Sequence, residues 1–162
     1  MDGAVATIEN DVRERIRRSD LDPLLDLLEI RRVVRDAVAD YDDRSINGGL
    51  PRLDDLDAAT RSILDAVAGY GPLQQYLDDP QIEEIWINEP WRVFVARNGI
   101  AELTPTILTD DAVRDLVERM LRTSGRRVDL SSPFVDAVLP DGSRLHCVIP
   151  DITRAHWLVN IR

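Results

Sequence analysis

Hydrophobic residues in the first 68 positions recur every three or four residues, the spacing of one face of an α-helix. Three such stripes, at 5–16, 27–41 and 56–67, predict three short amphipathic helices. Short amphipathic helices need an apolar surface to cover them, and each stripe can serve the others. We therefore expect a three-helix unit over residues 1–68, with a flexible tail as the alternative for residues 1–20.

Polar and turn-forming residues mark the ends of these helices. Asp22-Pro23 is typical of a helix start, with aspartate as the N-cap and proline in the first helical position. Asp54 or Asp55 is the expected cap of the third helix, and Gly69 its end.

After Gly71-Pro72 the hydrophobic period shortens to two, which indicates β-strands. Strands are predicted at 82–88, 91–97, 100–104, 134–139, 144–149 and 157–161. A short helix is expected over 73–77, and a longer one from Thr109 or Asp110 to Gly125. This order predicts an α+β fold, with a PAS-like antiparallel sheet domain and one main packed helix over residues 69–162.

Two turns fix the strand register. Asn98-Gly99 predicts a type I′ hairpin. In the later hairpin, a three-residue loop of Pro140-Asp141-Gly142 places Leu139 opposite Ser143, so that the apolar sets of both strands share one face. A two-residue loop would instead turn arginine and histidine toward the core. We therefore predict the three-residue loop.

With that register, Asp136, Arg144 and His146 lie on the opposite face of the sheet, and Arg162 joins them if the last strand is a neighbour. Arginines on a sheet face can bind a carboxylate or phosphate through paired hydrogen bonds. The alternative is a solvated face with an Asp136–Arg144 ion pair.

The composition of the chain argues against several classes of function. The net charge of −10 disfavours non-specific nucleic-acid binding, and no apolar run approaches the length of a membrane span. The N-terminus lacks the pattern of a secretion signal, and a single cysteine, Cys147, suits a reducing cytoplasm. All 20 basic residues are arginine, so neither a P-loop nor a Schiff-base site can be complete in this chain.

Several motifs of residues 69–162 resemble one family in their order and spacing. They are Gly69–Leu73 (GYGPL), Asp79–Asn88 (DPQIEEIWIN), Arg97–Gly99 (RNG), Gly125–Pro133 (GRRVDLSSP), Val135–Pro150 (VDAVLPDGSRLHCVIP) and Val159–Arg162 (VNIR). Together they resemble the N-terminal part of the secretion ATPases of the type II/type IV superfamily, and in particular the CpaF-type ATPase of Flp (tight-adherence) pili.

The resemblance implies a regulatory and oligomerising portion of a hexameric cytoplasmic ATPase that lies at the inner face of the membrane. Its implied partners are a P-loop domain absent from this chain, neighbouring subunits and inner-membrane platform proteins, without nucleic acid. ATP and Mg²⁺ would bind the full-length protein, and this stretch alone would not turn over ATP. By resemblance, Arg144 and Arg162 reach the ATP phosphates. Arg127, like Arg126, is a weaker candidate, and its alternative role is to complement the C-terminal end of a helix dipole.

Two other functions remain open at the level of sequence. One is a stand-alone adaptor that docks on a membrane-platform protein, and the other is a PAS-like sensor of a small ligand. A metal site is not expected, because His146 and Cys147 fall on opposite faces of a strand and His156 is expected to stand alone in its loop.

Overall fold

The computed structural model describes residues 2–23 and 26–162. The chain divides into two compact units, one that ends at Pro72 and one that comprises Leu73–Arg162. Helices come first and a six-stranded antiparallel sheet follows, which confirms the predicted α+β class. Within the described ranges, no helix combines the length and the apolar character that crossing a membrane requires.

The first unit is a bundle of three helices that pack on one another: α1 (Asp2–Arg18), α2 (Leu27–Ile46) and α3 (Leu56–Ala68). The predicted stripes form its core, in which the largest fully buried side chains are Ile8, Val12, Ile30, Val34, Tyr41 and Ile63. Each buried aliphatic side chain stabilises the fold by about 1.5–3 kcal/mol relative to exposure. In the structure α1 packs on the other two helices through Ala4, Ile8, Val12 and Ile16, which are buried.

The start of α2 differs from the prediction. The helix begins at Leu27 with Asp26 in the N-cap position, not at Asp22-Pro23, and Leu27 is 42% exposed instead of buried. The reason is local: the Asp26 carboxylate accepts the backbone N–H of Asp22, and the Asp26 N–H donates to the Asp22 carbonyl, both at 2.8 Å. Positions 24 and 25 of the predicted helix lie outside the described residues. At α3, Asp55 is the cap, accepting the Ala58 N–H at 2.9 Å, and Gly69 is the C-cap.

The second unit is built on a single sheet with strand order β3-β2-β1-β6-β5-β4, in which every pair is antiparallel. Its strands are β1 (Ile82–Glu89), β2 (Arg92–Arg97), β3 (Ile100–Leu103), β4 (Phe134–Val138), β5 (Arg144–Val148) and β6 (Leu158–Ile161). The first three strands and the last three each form a meander, and the β1–β6 pair joins the two meanders. The centre of the sheet therefore pairs segments that are far apart in sequence.

Along the chain, the helices of the second unit precede or connect the strands. A 3₁₀ turn (Gly71–Leu73) at the unit boundary leads into α4 (Gln74–Leu77), α5 (Asp110–Arg122) connects the two meanders, and α6 (Pro150–Thr153), which was not predicted, connects β5 and β6. Thr109 caps α5 as predicted, since its hydroxyl accepts the Ala112 N–H at 3.2 Å. Five side chains on one face of α5 are buried, namely Val113, Leu116, Val117, Met120 and Leu121, as predicted.

Both predicted turns are confirmed. Asn98 and Gly99 have φ values of 49° and 71°, as a type I′ turn requires, and join β2 to β3. Between β4 and β5, the Leu139 N–H donates to the Ser143 carbonyl at 2.8 Å, so the loop has three residues. Gly142 has a φ of 91°, a conformation that glycine adopts with little strain.

The glycine at position 142 provides a test of this register. We expect Gly142→Ala to lower the free energy of unfolding by about 1 kcal/mol, because a Cβ is strained at positive φ, and Gly142→Asn to cost roughly half as much. Urea unfolding followed by tryptophan fluorescence measures the loss, since the three tryptophans all lie in the second unit. No loss in either variant would contradict the loop geometry.

Candidate functional site

The outer face of the β4–β5–β6 meander carries the predicted polar group. Leu145, Cys147 and Ile161 are buried on one side of the sheet, whereas Arg144 and Arg162 are exposed on the other. Asp136 and His146 lie opposite each other on β4 and β5, and His146 lies opposite Asn160 of β6. The strand pairing thus places the two main candidate arginines on one face, as predicted. Their chemical role stays a prediction.

Arg144 and Arg162 are direct cross-strand neighbours. The Arg144 N–H donates to the Arg162 backbone oxygen at 2.8 Å, and the Arg162 N–H donates to the Arg144 oxygen at 2.9 Å. This reciprocal pairing holds the two Cα atoms about 5.5 Å apart. Like charges in such a position repel each other by an amount on the order of a few tenths of a kcal/mol. A negative group that bridges or faces them is therefore favoured.

Glu84 of β1 neutralises one side of this pair. Its Oε1 lies 3.0 Å from Nη2 of Arg162 and accepts a second hydrogen bond from the Asn160 side chain at 2.6 Å. These contacts, that of Asn160 first, hold the pKa of Glu84 below its ordinary value. Sequence reasoning missed Glu84. The alternation of Glu84, Trp86 and Asn88 along β1 could have placed it on a face, but not beside β6.

The guanidinium group of Arg144 makes no hydrogen bond or ion pair with any described residue. The predicted alternative, an Asp136–Arg144 ion pair, is wrong, because Asp136 instead pairs with His146, with 2.8 Å between Oδ1 and Nδ1. Asp136 and His146 are a directly opposed cross-strand pair, whereas Val138 stands opposite Arg144. The Arg144 guanidinium is consequently exposed on this face, and no described carboxylate neutralises it.

Three arginines line one open cavity of about 670 Å³. Arg126 follows α5 and joins Arg144 and Arg162, together with His146 and Asn160. Arg126 lies four residues beyond the end of α5 at Arg122, outside the last turn in which a charge complements the helix dipole. Arg127, the weaker candidate, instead lines a neighbouring depression of about 310 Å³ that also includes Arg126 and Asp136.

The remaining candidate groups lie apart from one another. Cys147 is fully buried, and burial, with a smaller effect of Asp136, raises the pKa of its thiol to about 12. His156 was expected to stand alone, and this is wrong: its Nδ1 lies 2.9 Å from Oδ1 of Asp110, and its ring meets that of Trp91 edge-on. In the part of the chain that the structure describes, no three histidine, cysteine or acidic side chains group as metal ligands.

Comparisons with known proteins identify the relatives of this chain. No protein-family model matches it. VirB11 of Agrobacterium tumefaciens is 35% identical over 81 residues, which are 49% of this chain and 23% of that protein. The crystal structure of the VirB11 ATPase from the Brucella suis type IV secretion system, in complex with sulphate, matches 56% of this chain and 29% of that chain at 33% identity and a TM-score of 0.51.

This chain is homologous to VirB11. The homology covers about half of the chain and concerns the N-terminal region of VirB11. The chain spans less than a quarter of the length of the A. tumefaciens protein. It is also 29% identical over 110 residues to an uncharacterized protein of Methanocaldococcus jannaschii, covering 66% of this chain and 15% of that protein. VirB11 homology confirms the resemblance to type IV secretion ATPases, whereas the CpaF-type assignment stays a prediction.

The lowered pKa of Glu84 generates a pH-dependent prediction. A carboxylate whose pKa is lowered by folding stabilises the protein above its unfolded pKa, about 4.3, and this contribution is lost as the pH falls through the folded value. We therefore expect Glu84→Gln to be less stable than the parent at pH 7, and the difference to disappear in acid. Urea unfolding over a series of pH values measures it.

Glu118 offers the matched control. It is exposed on α5, and no described residue pairs with its side chain. Glu118→Gln should therefore show no difference from the parent that changes with pH. A Glu84→Gln variant that behaves like Glu118→Gln would show that the Glu84 contacts do not stabilise the sheet.

Proposed function

We propose that this chain is the N-terminal part of a CpaF-type ATPase of Flp pili, and that it contributes Arg144 and Arg162 to the phosphates of ATP. The observation that carries the proposal is the cross-strand arginine pair, in which Glu84 engages Arg162 and no described group engages Arg144. VirB11 homology supports the class of protein, and the solved VirB11 relative was crystallised with sulphate, an anion of similar shape to a phosphate group.

The chemistry of the pair suits terminal phosphates. A guanidinium spans two phosphate oxygens with parallel hydrogen bonds and keeps its charge at every physiological pH. Because the backbones of Arg144 and Arg162 are paired on neighbouring strands, their side chains start from a fixed separation. Charge that changes when the γ-phosphate leaves would alter the strength of these contacts.

Such a difference couples hydrolysis to movement. A ligand shifts a conformational equilibrium only when it binds one state more tightly than the other. In the proposed full-length protein, ATP and Mg²⁺ are bound by a P-loop domain, and this chain closes over the phosphates before hydrolysis and loosens afterwards. Its further proposed partners are neighbouring subunits of a hexamer and inner-membrane platform proteins, and its place is the cytoplasmic face of that membrane. Alone, the chain would not turn over ATP.

The test is the ATPase rate of the proposed full-length protein. Arg144→Gln should lower kcat by at least about ten-fold, because a positioned donor to the reacting phosphate is lost, and should leave the hexamer intact by size-exclusion chromatography. Arg162→Gln should lower it less, since Glu84 already holds that guanidinium.

Arg122→Gln is the control for the loss of one arginine charge. Arg122 is exposed at the end of α5 and does not line the arginine cavity. Its substitution should therefore leave kcat unchanged. If Arg144→Gln matches Arg122→Gln in rate, the proposed contact between Arg144 and the phosphates is wrong.

A further inference from the structure

His146 is the one titratable imidazole in the lining of the arginine cavity. It lies two residues after Arg144 on the same face of β5 and lines the cavity with Arg126, Arg144 and Arg162. About half of its side chain is exposed, at 48%. An imidazole is the one side chain whose ordinary charge change falls near neutral pH, so its charge at this position can vary where the arginines' charges cannot.

Asp136 determines which ring nitrogen carries the proton. An ionised carboxylate only accepts hydrogen bonds, so the 2.8 Å contact assigns the N–H of neutral His146 to Nδ1. This leaves Nε2, which bonds to no described residue, as the nitrogen available to a ligand in the cavity. Neutral Nε2 accepts a hydrogen bond, whereas protonated Nε2 donates one, and only the donor form suits an anion that lacks protons.

The charges around His146 come from four strands and one loop. They are Asp136 on β4, Arg144 on β5, Arg162 directly after β6, Glu84 on β1, which Arg162 and Asn160 engage, and Arg126 in the loop after α5. While His146 is neutral, the Asp136–His146 pair adds one negative charge to a cavity with three cations. Protonation of His146 cancels that charge.

We propose that His146 is a proton-carrying ligand of the arginine cavity, so that a tetrahedral dianion binds there together with a proton. The inference rests on the proposed function insofar as the cavity is taken as an anion site. Because linkage is reciprocal, an anion favours protonation of His146 and protonation favours the anion by the same factor. Phosphate contact by this face is thereby coupled to the protonation of His146.

Sulfate is the suitable probe, since it keeps both negative charges between about pH 6 and pH 8, and any pH dependence then belongs to the protein. The chain has only two histidines, and the thiol of Cys147, with its pKa raised to about 12, does not titrate in this range. His156 is a matched control, because it pairs with Asp110 at 2.9 Å as His146 pairs with Asp136, but does not line the arginine cavity.

The experiment measures the sulfate affinity of the chain by NMR chemical-shift titration at pH 8 and pH 6, with chloride holding the ionic strength constant. An anion beside an imidazolium stabilises the charged form of the ring, so we expect the affinity to be roughly five-fold higher at pH 6 than at pH 8. His156→Gln should keep this rise. His146→Gln should show the same affinity at both pH values.

Arg144→Gln separates this inference from the proposed function. If sulfate binds without pH dependence, or if His146→Gln keeps the higher affinity at pH 6, the proposed role of His146 is wrong. A loss of sulfate binding in Arg144→Gln would still support the arginine cavity as the anion site. If Arg144→Gln binds sulfate as the parent does, the arginine cavity is not the anion site and both proposals fail. If the parent binds no sulfate at pH 6, the inference for His146 fails, and the ATPase rate of Arg144→Gln decides the proposed function.

Discussion

The pairing of β5 with β6 is the constraint on which the site depends. It places Arg144 and Arg162 directly opposite each other on neighbouring strands, where like charges repel. The opposite face of the same two strands holds them in place, because Leu145 and Cys147 face Ile161 and Val159 in the buried core. Burial of each such side chain is worth about 1.5–3 kcal/mol, several times the repulsion. A register slip that separated the arginines would expose this core.

The two arginines are not equivalent, and the difference comes from the order of strands. Because β1 is the other neighbour of β6, Glu84 reaches Arg162 but is one strand farther from Arg144. On the other side, Asp136 is opposite His146 and is bound to it. Each nearby carboxylate therefore has a partner other than Arg144. On this face the guanidinium of Arg162 is held by Glu84, whereas that of Arg144 is available to a ligand.

Features decided by neighbouring residues were predictable from sequence, and those decided by topology were not. The Pro140-Asp141-Gly142 loop sets the β4–β5 register within one hairpin, and Thr109 caps its own helix. The start of α2 was mispredicted because Asp26, four residues after Asp22, is the N-cap, and its carboxylate accepts the Asp22 N–H. Contacts of Glu84 with Arg162, and of His156 with Asp110, join positions 78 and 46 residues apart. No periodicity encodes which strands become neighbours, so these pairs required the structure.

The net charge of the chain and the local charge of the arginine cavity have opposite signs, and both affect how an anion reaches this site. The whole chain carries a net charge of −10, which does not attract a free anion, whereas the arginine cavity is locally positive. At physiological ionic strength, charges are screened beyond about 8 Å, so the three guanidinium groups act only over short distances. Attraction from bulk solution is then weak, and contact depends on a phosphate that is brought close by other means. A phosphate already bound by a partner domain satisfies that condition better than one captured from solution, which agrees with the proposal that a P-loop domain holds the nucleotide.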